Sequence, residues 1–363
     1  MPPISVTTDR RSAVPPGLPN PPRPTRSAGR VAAYAFVVPA VALIAVVIAA
    51  VSLGPVTVPW NHVLGAFTDG DVPHASLVRD IRAPRVLVAA LVGAALAVVG
   101  AVMQAVFRNP LADPGITGVA SGAAVGAVTV LVTGTSILGA ATLPVGAFAG
   151  AALTTLALLV VARARRDTSP VTFVLVGITI GSFCSALTAA LVANAPEDSA
   201  VRSVMFWING DLTARTWNDV LLCAGPVIAG TLVLLGRHRV LDTLLLGDQT
   251  ATSMGIDVRR QQLVLLLTGA AVTGAAVAVA GVIGFVGLVV PHAVRLLIGP
   301  RHALLLPASM LTGAAFLVLA DLGARLLLDP VVLQTGTVAA LVGSPVFGYL
   351  VLRNGGRSHG GTL

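Results

Sequence analysis

The chain of 363 residues contains no lysine; all 23 of its basic residues are arginine. A phosphate-cradling P-loop needs a lysine on the nucleotide phosphates, so no such loop is present. No polar segment is long enough to form a nucleotide-binding domain either. Any use of ATP must therefore come from another chain. Charge is scarce as well. Only 10% of residues are charged, where a soluble domain carries about 25%, which excludes an ordinary water-soluble fold. There are two cysteines, Cys184 and Cys223, each inside an apolar run. They offer no disulfide framework and no metal-ligand spacing, and both are expected to be small core residues.

What the chain has is apolar length. It is 55% hydrophobic, and several of its runs reach the roughly 17–25 residues that cross a hydrocarbon core of about 30 Å. Ten spans are predicted, at 31–53, 86–106, 116–133, 143–162, 171–193, 217–235, 263–281, 283–298, 304–327 and 336–352. The third is rich in glycine and alanine. The eighth is short and holds Pro291 and His292, so broken or tilted helices are expected there. Residues 1–30 are rich in proline, carry five arginines and have the composition of a disordered tail. The first apolar run is read as a retained span rather than a cleaved signal, and Arg10-Arg11 lacks the apolar core of a twin-arginine signal. The transmembrane domain is expected over 31–353, with a short tail at 354–363.

With the N-terminus placed inside, seventeen arginines fall on inner segments and six on outer ones: Arg79, Arg82, Arg85, Arg202, Arg215 and Arg325. That bias puts both termini in the cytoplasm. Trp60, Trp207 and Trp217 then fall at outer span ends, and Tyr34 and Tyr349 at inner ends, as interfacial belts would. The predicted fold is an all-α membrane bundle. Stretches such as "LVGAALAVVGA" (91–101) and "LTGAAF" (311–316) allow close helix packing in lipid. A faint echo between 92–110 and 268–291 hints at an inverted repeat.

The spans themselves are nearly free of charge. Asp321 and Arg325, four residues apart in the ninth span, are the exceptions and are expected to pair along one helix face. Without a central ionisable residue, an ion-coupled carrier is disfavoured. His292 has no second ligand nearby, so metal binding and catalysis are not expected; beside Pro291 it should bond freed carbonyls or pack near the inner surface. No catalytic residue, metal or cofactor is assigned to this chain, and no nucleic-acid partner. Gln104, Asn109 and Pro110 are taken as residues that line or gate a path.

Between the sixth and seventh spans lies a polar island, "LGDQTATSMGIDVRRQQ" (246–262), which the charge count places in the cytoplasm. Asp248 is suited to cap a short helix, Gly255 to end it in the left-handed conformation, and Asp257 to cap the next. A helix of two turns is marginal by itself and needs a surface to rest on. That surface is its own bundle or a cytoplasmic partner.

Several stretches together resemble the permease subunits of bacterial ABC importers for iron–siderophores, haem and vitamin B12. They are "RAPRVLVAALVGAALAVVGAVMQAVFRNPLADPGITGVASGAA" (82–124), "LGDQTATSMGIDV" (246–258), "GVIGFVGLVVPHAVRLLIGPRH" (281–302), "LPASMLTGAAFLVLADLGAR" (306–325) and "GSPVFGYLV" (343–351). The resemblance covers roughly 35–353. It implies a type II importer bundle of ten helices per subunit in the cell membrane, two permease subunits around one path, two cytoplasmic ABC ATPase subunits and an extracytoplasmic substrate-binding lipoprotein. It makes 246–258 the coupling segment, with Leu246, Gly247, Asp248, Gln249, Ala251, Met254, Gly255 and Ile256 docking the ATPase. It also makes Arg82, Arg85 and Arg325 contacts for carboxylates of the binding protein. The local alternative pairs Arg82 with Asp80 and Arg325 with Asp321. One departure stands out: "LQTGTVAA" (333–340) replaces the family's "LPxGVVTA". The expected cargo is a ferric siderophore, with corrinoid and haem as alternatives. A secondary carrier and a structural or channel-like membrane protein are the readings outside the importer class.

Overall fold

The computed structural model describes residues 26–68, 72–164 and 170–355. Most of the N-terminal tail and the end of the C-terminal tail lie outside them. Among the described residues the chain forms fourteen α-helices and no strand. They are α1 (Arg26–Ser52), α2 (Trp60–Thr68), α3 (Ala83–Val106), α4 (Val119–Thr133), α5 (Thr142–Ala164), α6 (Pro170–Ala193), α7 (Asp198–Ile208), α8 (Trp217–Gly236), α9 (His238–Leu244), α10 (Asp248–Ser253), α11 (Val258–Ala280), α12 (Val286–Ile298), α13 (His302–Leu326) and α14 (Thr335–Gly355). Seven segments are helical, long and apolar enough to cross a membrane, and three apolar helices are shorter. These ten coincide with the ten predicted spans. The shorter three include both spans that were expected to be broken or tilted, α4 and α12.

Helices α3 and α11 form the centre. Most of α3 is buried, against α8, α11, α12 and α13. Helices α1 and α6 lie at the rim and show exposed apolar side chains such as Val41, Ile44, Ile178 and Phe183. Small residues make the central contacts. A Cβ on Gly100 would lie 1.9 Å from the carbonyl oxygen of Gly287, and one on Gly93 2.2 Å from that of Gly313. Backbones that touch in this way gain dispersion and weak polar contacts where lipid supplies no hydrophobic drive. Helices α4 and α5 repeat the device, Gly122 and Gly126 meeting Gly146 and Gly150 at matched four-residue spacing.

Several local expectations change. The echo between 92–110 and 268–291 spans one continuous helix in its first copy. In its second, the chain unwinds over 281–284 and restarts as α12 beyond Phe285, whose φ is +66°. Trp207 is not an interfacial aromatic: it is buried, with Val119, Ala147 and Ala151 in the same core cluster, and its carbonyl lies against Gly281. Trp60 and Trp217 remain partly exposed, as do Tyr34 and Tyr349. Both cysteines are buried and unpaired.

Pro291 sits inside α12 and, having no N–H, leaves the carbonyl of Gly287 one turn back without its helical partner. Gln104 supplies the missing donor. Its Nε2 reaches the carbonyls of Gly287 at 3.3 Å and Leu288 at 3.2 Å. His292 was expected to do this or to pack. It packs, meeting the Phe347 ring edge-on at 6.2 Å between centroids.

Candidate functional site

The candidate docking site is built from short helices between α8 and α11. Helix α9 buries Leu241 and Leu244 and so rests on the bundle. Gly247, with φ of +105°, turns the chain into α10. Helix α10 sends only Ala251 inward. It ends in a Schellman motif: the N–H of Ile256 reaches the carbonyl of Ala251 at 3.0 Å and the N–H of Gly255 that of Thr252 at 2.9 Å. Gly255 has φ of +82°, the left-handed conformation expected of it. Asp257 accepts from the N–H of Arg260 at 3.0 Å and caps α11, also as expected.

Asp248 does not act as a cap. Gly247 holds the cap position, and the Asp248 carboxylate turns aside to the guanidinium of Arg108. The remaining surface of the segment is open. Leu246 and Met254 are 63% and 61% exposed, and the positions around Gly247 and Gly255 are empty of other atoms. Two large apolar side chains beside two bare glycines make a flat, greasy knuckle on the arginine-rich side of the membrane, a surface suited to a protein cleft.

Asn109 and Pro110 lie beside this knuckle, just past the end of α3, and are exposed. The Asn109 side chain accepts from the N–H of Leu111 at 2.9 Å, an Asx turn. Gln104 is buried between α3 and α12. A mainly apolar outer recess of about 510 Å³ with a few polar groups lies between α7, the unwound chain at 281–285 and α14. Asn209, Thr337 and Ser344 are its polar residues, and Val282, Phe285 and Leu341 its main apolar ones. Its signal in the sequence was weak. Val201, Val204 and Ile208 fall at helical spacing, but α7 is too short to count as a span.

At the outer ends of α1, α3, α13 and α14, Arg82, Arg85 and Arg325 are buried. Arg85 forks onto Asp321, with Nε 3.0 Å from both carboxylate oxygens and Nη2 2.8 Å from Oδ1. Arg325 approaches the same carboxylate at 3.4 Å and donates to the carbonyl of Ala50 at 3.0 Å. Arg82 makes no pair with Asp80. It donates to the carbonyls of Val51 at 2.7 Å, Ser52 at 3.0 Å and Val56, and so caps the end of α1. The expected Arg325–Asp321 pair exists, but Arg85 is the stronger partner. Thr335, which follows the departure at Gln334, has a use here, since its hydroxyl donates to Asp321 Oδ1 at 3.0 Å and ties the start of α14 to α13. The three arginines also line one shallow recess that opens between Val56, Ile81 and Val332.

Residues 42–353 match the model of the FecCD transport family. The chain is 45% identical to the cobalamin import system permease protein BtuC of Halobacterium salinarum, over 76% of this chain and 73% of that one. It is 38% identical to the Fe(3+) dicitrate transport system permease protein FecD of Escherichia coli, over 83% of this chain and 92% of that one. Among solved structures it superposes on a transporter described as metal-chelate type ABC, captured inward-facing, with a TM-score of 0.76. That likeness comes at 28% identity and covers 87% of this chain and 97% of that one.

Proposed function

Because the chain belongs to the FecCD transport family, and is thereby a membrane permease subunit of an ABC importer with its ATPase on separate subunits, we propose that it carries an intact ferric siderophore. The walls of the outer recess hold amide and hydroxyl groups but no carboxylate. Such a lining has nothing to strip a ferric ion from its chelator, so the cargo crosses as a whole complex. The iron-chelate relative supports this reading. The 45% identical cobalamin permease favours a second one, a corrinoid of similar bulk and rigidity. Purified complex in proteoliposomes, offered cyanocobalamin and a ferric hydroxamate in competition, distinguishes them. Uptake of the iron complex at several times the rate of the corrinoid is the expected outcome, and the reverse order overturns the choice.

We further propose that 246–258 is the segment gripped by the ATPase, with Leu246, Gly247, Asp248, Gln249, Ala251, Met254, Gly255 and Ile256 as its docking set. The observation that carries this is the exposure of Leu246 and Met254 on a capped, bundle-anchored helix. Apolar anchors of this kind each hold a kcal/mol or more of an interface. Changing both to Glu is expected to cut ATPase co-purification by about tenfold or more while the melting temperature of the subunit stays put. Undiminished capture removes the segment from the interface.

On the outer face we infer that an acidic binding protein docks over the recess lined by Arg82, Arg85 and Arg325, where Arg85 and Arg325 share the single carboxylate of Asp321 and Arg82 bonds only backbone carbonyls. Uncompensated positive charge steers an acidic partner and fixes its register. Affinity of the binding protein for the permease should then fall by about tenfold between low and high salt, as screening lengths shrink below the contact distances. Salt-independent binding argues for an apolar contact instead.

A further inference from the structure

Helix α3 ends in an odd way. After Phe107 the chain passes through the left-handed region at Arg108, with φ of +47°. Helices often end on such a residue, and it is usually glycine because a Cβ is unwelcome there. An arginine in that place is a local misfit, and its side chain shows what the misfit supports. The Arg108 Nε donates to the carbonyl of Leu244 at 3.0 Å, at the end of α9. Its Nη2 meets the carboxylate of Asp248, the first residue of α10. One side chain therefore grips the knuckle on both sides of the Gly247 turn.

A second grip lies on the same segment. Asp242 of α9 accepts from the N–H of His302 at 3.0 Å and lies 2.7 Å from its Nδ1. His302 is wholly buried and opens α13. Helices α3 and α13 are themselves packed backbone to backbone at Gly93 and Gly313. The docking knuckle, with α9 that carries it, is thus keyed to α3 and α13 through contacts that span 140 and 60 residues of sequence, in addition to its covalent link to α11.

We propose that Arg108 is a positioning residue that latches the docking knuckle to the inner end of α3, so that a push on α10 moves α3, and α13 with it, as one body. This rests on the ATPase-docking reading above. The charge pair itself is half in water and adds little to stability. Its work is geometric, because a guanidinium that bridges a carbonyl and a carboxylate fixes two directions at once.

The natural test is Arg108→Gly, which removes the side chain while giving the backbone the residue that its φ prefers. The full complex with its ATPase carries spin labels at Ser253→Cys on α10 and Leu111→Cys just past α3, in a Cys184→Ala, Cys223→Ala background. Distances are compared without nucleotide and with vanadate-trapped ATP. The otherwise unchanged latch should hold the distance constant to within about 2 Å, the scale of helix shifts at moving interfaces. Arg108→Gly should melt no lower and still capture the ATPase, yet its distance should move or split by more than that on trapping. An unmoved distance in Arg108→Gly, or a moving one with Arg108 in place, overturns the latch and leaves the docking reading intact. Failure of the chain with Arg108 to capture an ATPase at all sinks the docking reading, and the latch with it.

Discussion

Asp321→Ala is expected to lower the stability of the subunit by about 3–5 kcal/mol, the cost of leaving a buried charge without its partner. Among the described residues the carboxylate is the only hydrogen-bonding partner of Arg85, which makes three bonds there, and it also receives Arg325 and the hydroxyl of Thr335. Arg325 keeps the carbonyl of Ala50 after the change, so the loss falls mainly on Arg85. The desolvation of its guanidinium is then uncompensated, and water or lipid headgroups must enter or the outer ends of α3 and α13 must part. Thermal melting in detergent reads this directly. The double variant Arg85→Met, Asp321→Ala should recover most of the loss, since an apolar pair of similar volume removes both the charge and its need. A single variant as stable as the parent would mean that the cluster is solvated after all.

The second large effect is one of sign. Gly100→Ala puts a Cβ 1.9 Å from the Gly287 oxygen, a backbone atom that cannot swing aside. Helix α12 must move off α3, and Gln104, which bonds the same carbonyl, loses its geometry too. Overpacking of this kind costs about 1–3 kcal/mol, and more where backbone rather than side chain must yield. Gly348→Ala is the opposite case. It lies in α14, away from any proline ring that follows it, with no atom of another element within 4 Å of the new methyl, so the variant should gain about 0.5–1 kcal/mol of helix propensity. Melting points that shift in opposite directions for the same chemical change would show that contact, not composition, sets the value of each glycine. Equal shifts would refute the close approach of α3 and α12.

How much of this was readable beforehand follows the range of the forces involved. The ten crossings are local matters of apolar length, and each was visible in its own stretch of chain. So were Gly255 and Asp257, whose roles depend on neighbours two to four residues away. Asp248 looked like a cap by the same local logic. The competitor that draws its carboxylate away, Arg108, is 140 residues distant and leaves no trace in the local pattern. The same holds for Arg85 and Asp321, 236 residues apart, where reading each helix alone favoured the neighbour Arg325. Gln104, a polar residue in a greasy span, read as one that lines or gates a path. Its task became plain once Pro291 lay across from it. Helices α2, α7 and α9 escaped because they are 9, 11 and 7 residues long, below the length at which a crossing is recognisable.

Helix α12 has 13 residues, which at 1.5 Å each gives a rod of about 20 Å. The oily layer is about 30 Å deep. The shortfall is made up by the unwound chain at 281–285, whose free peptide groups could not face lipid tails without a cost of several kcal/mol apiece. Much of that break is roofed by the chain itself: Gly281 and Ile283 are buried, Gly281 abuts the carbonyl of Trp207, and the carbonyl of Val282 lies against Gly210 and Gly336. Only the partly open side at Val282 and Phe285, which fronts the recess, is left to seek water or a neighbouring polypeptide, so the short helix is made habitable mainly from within.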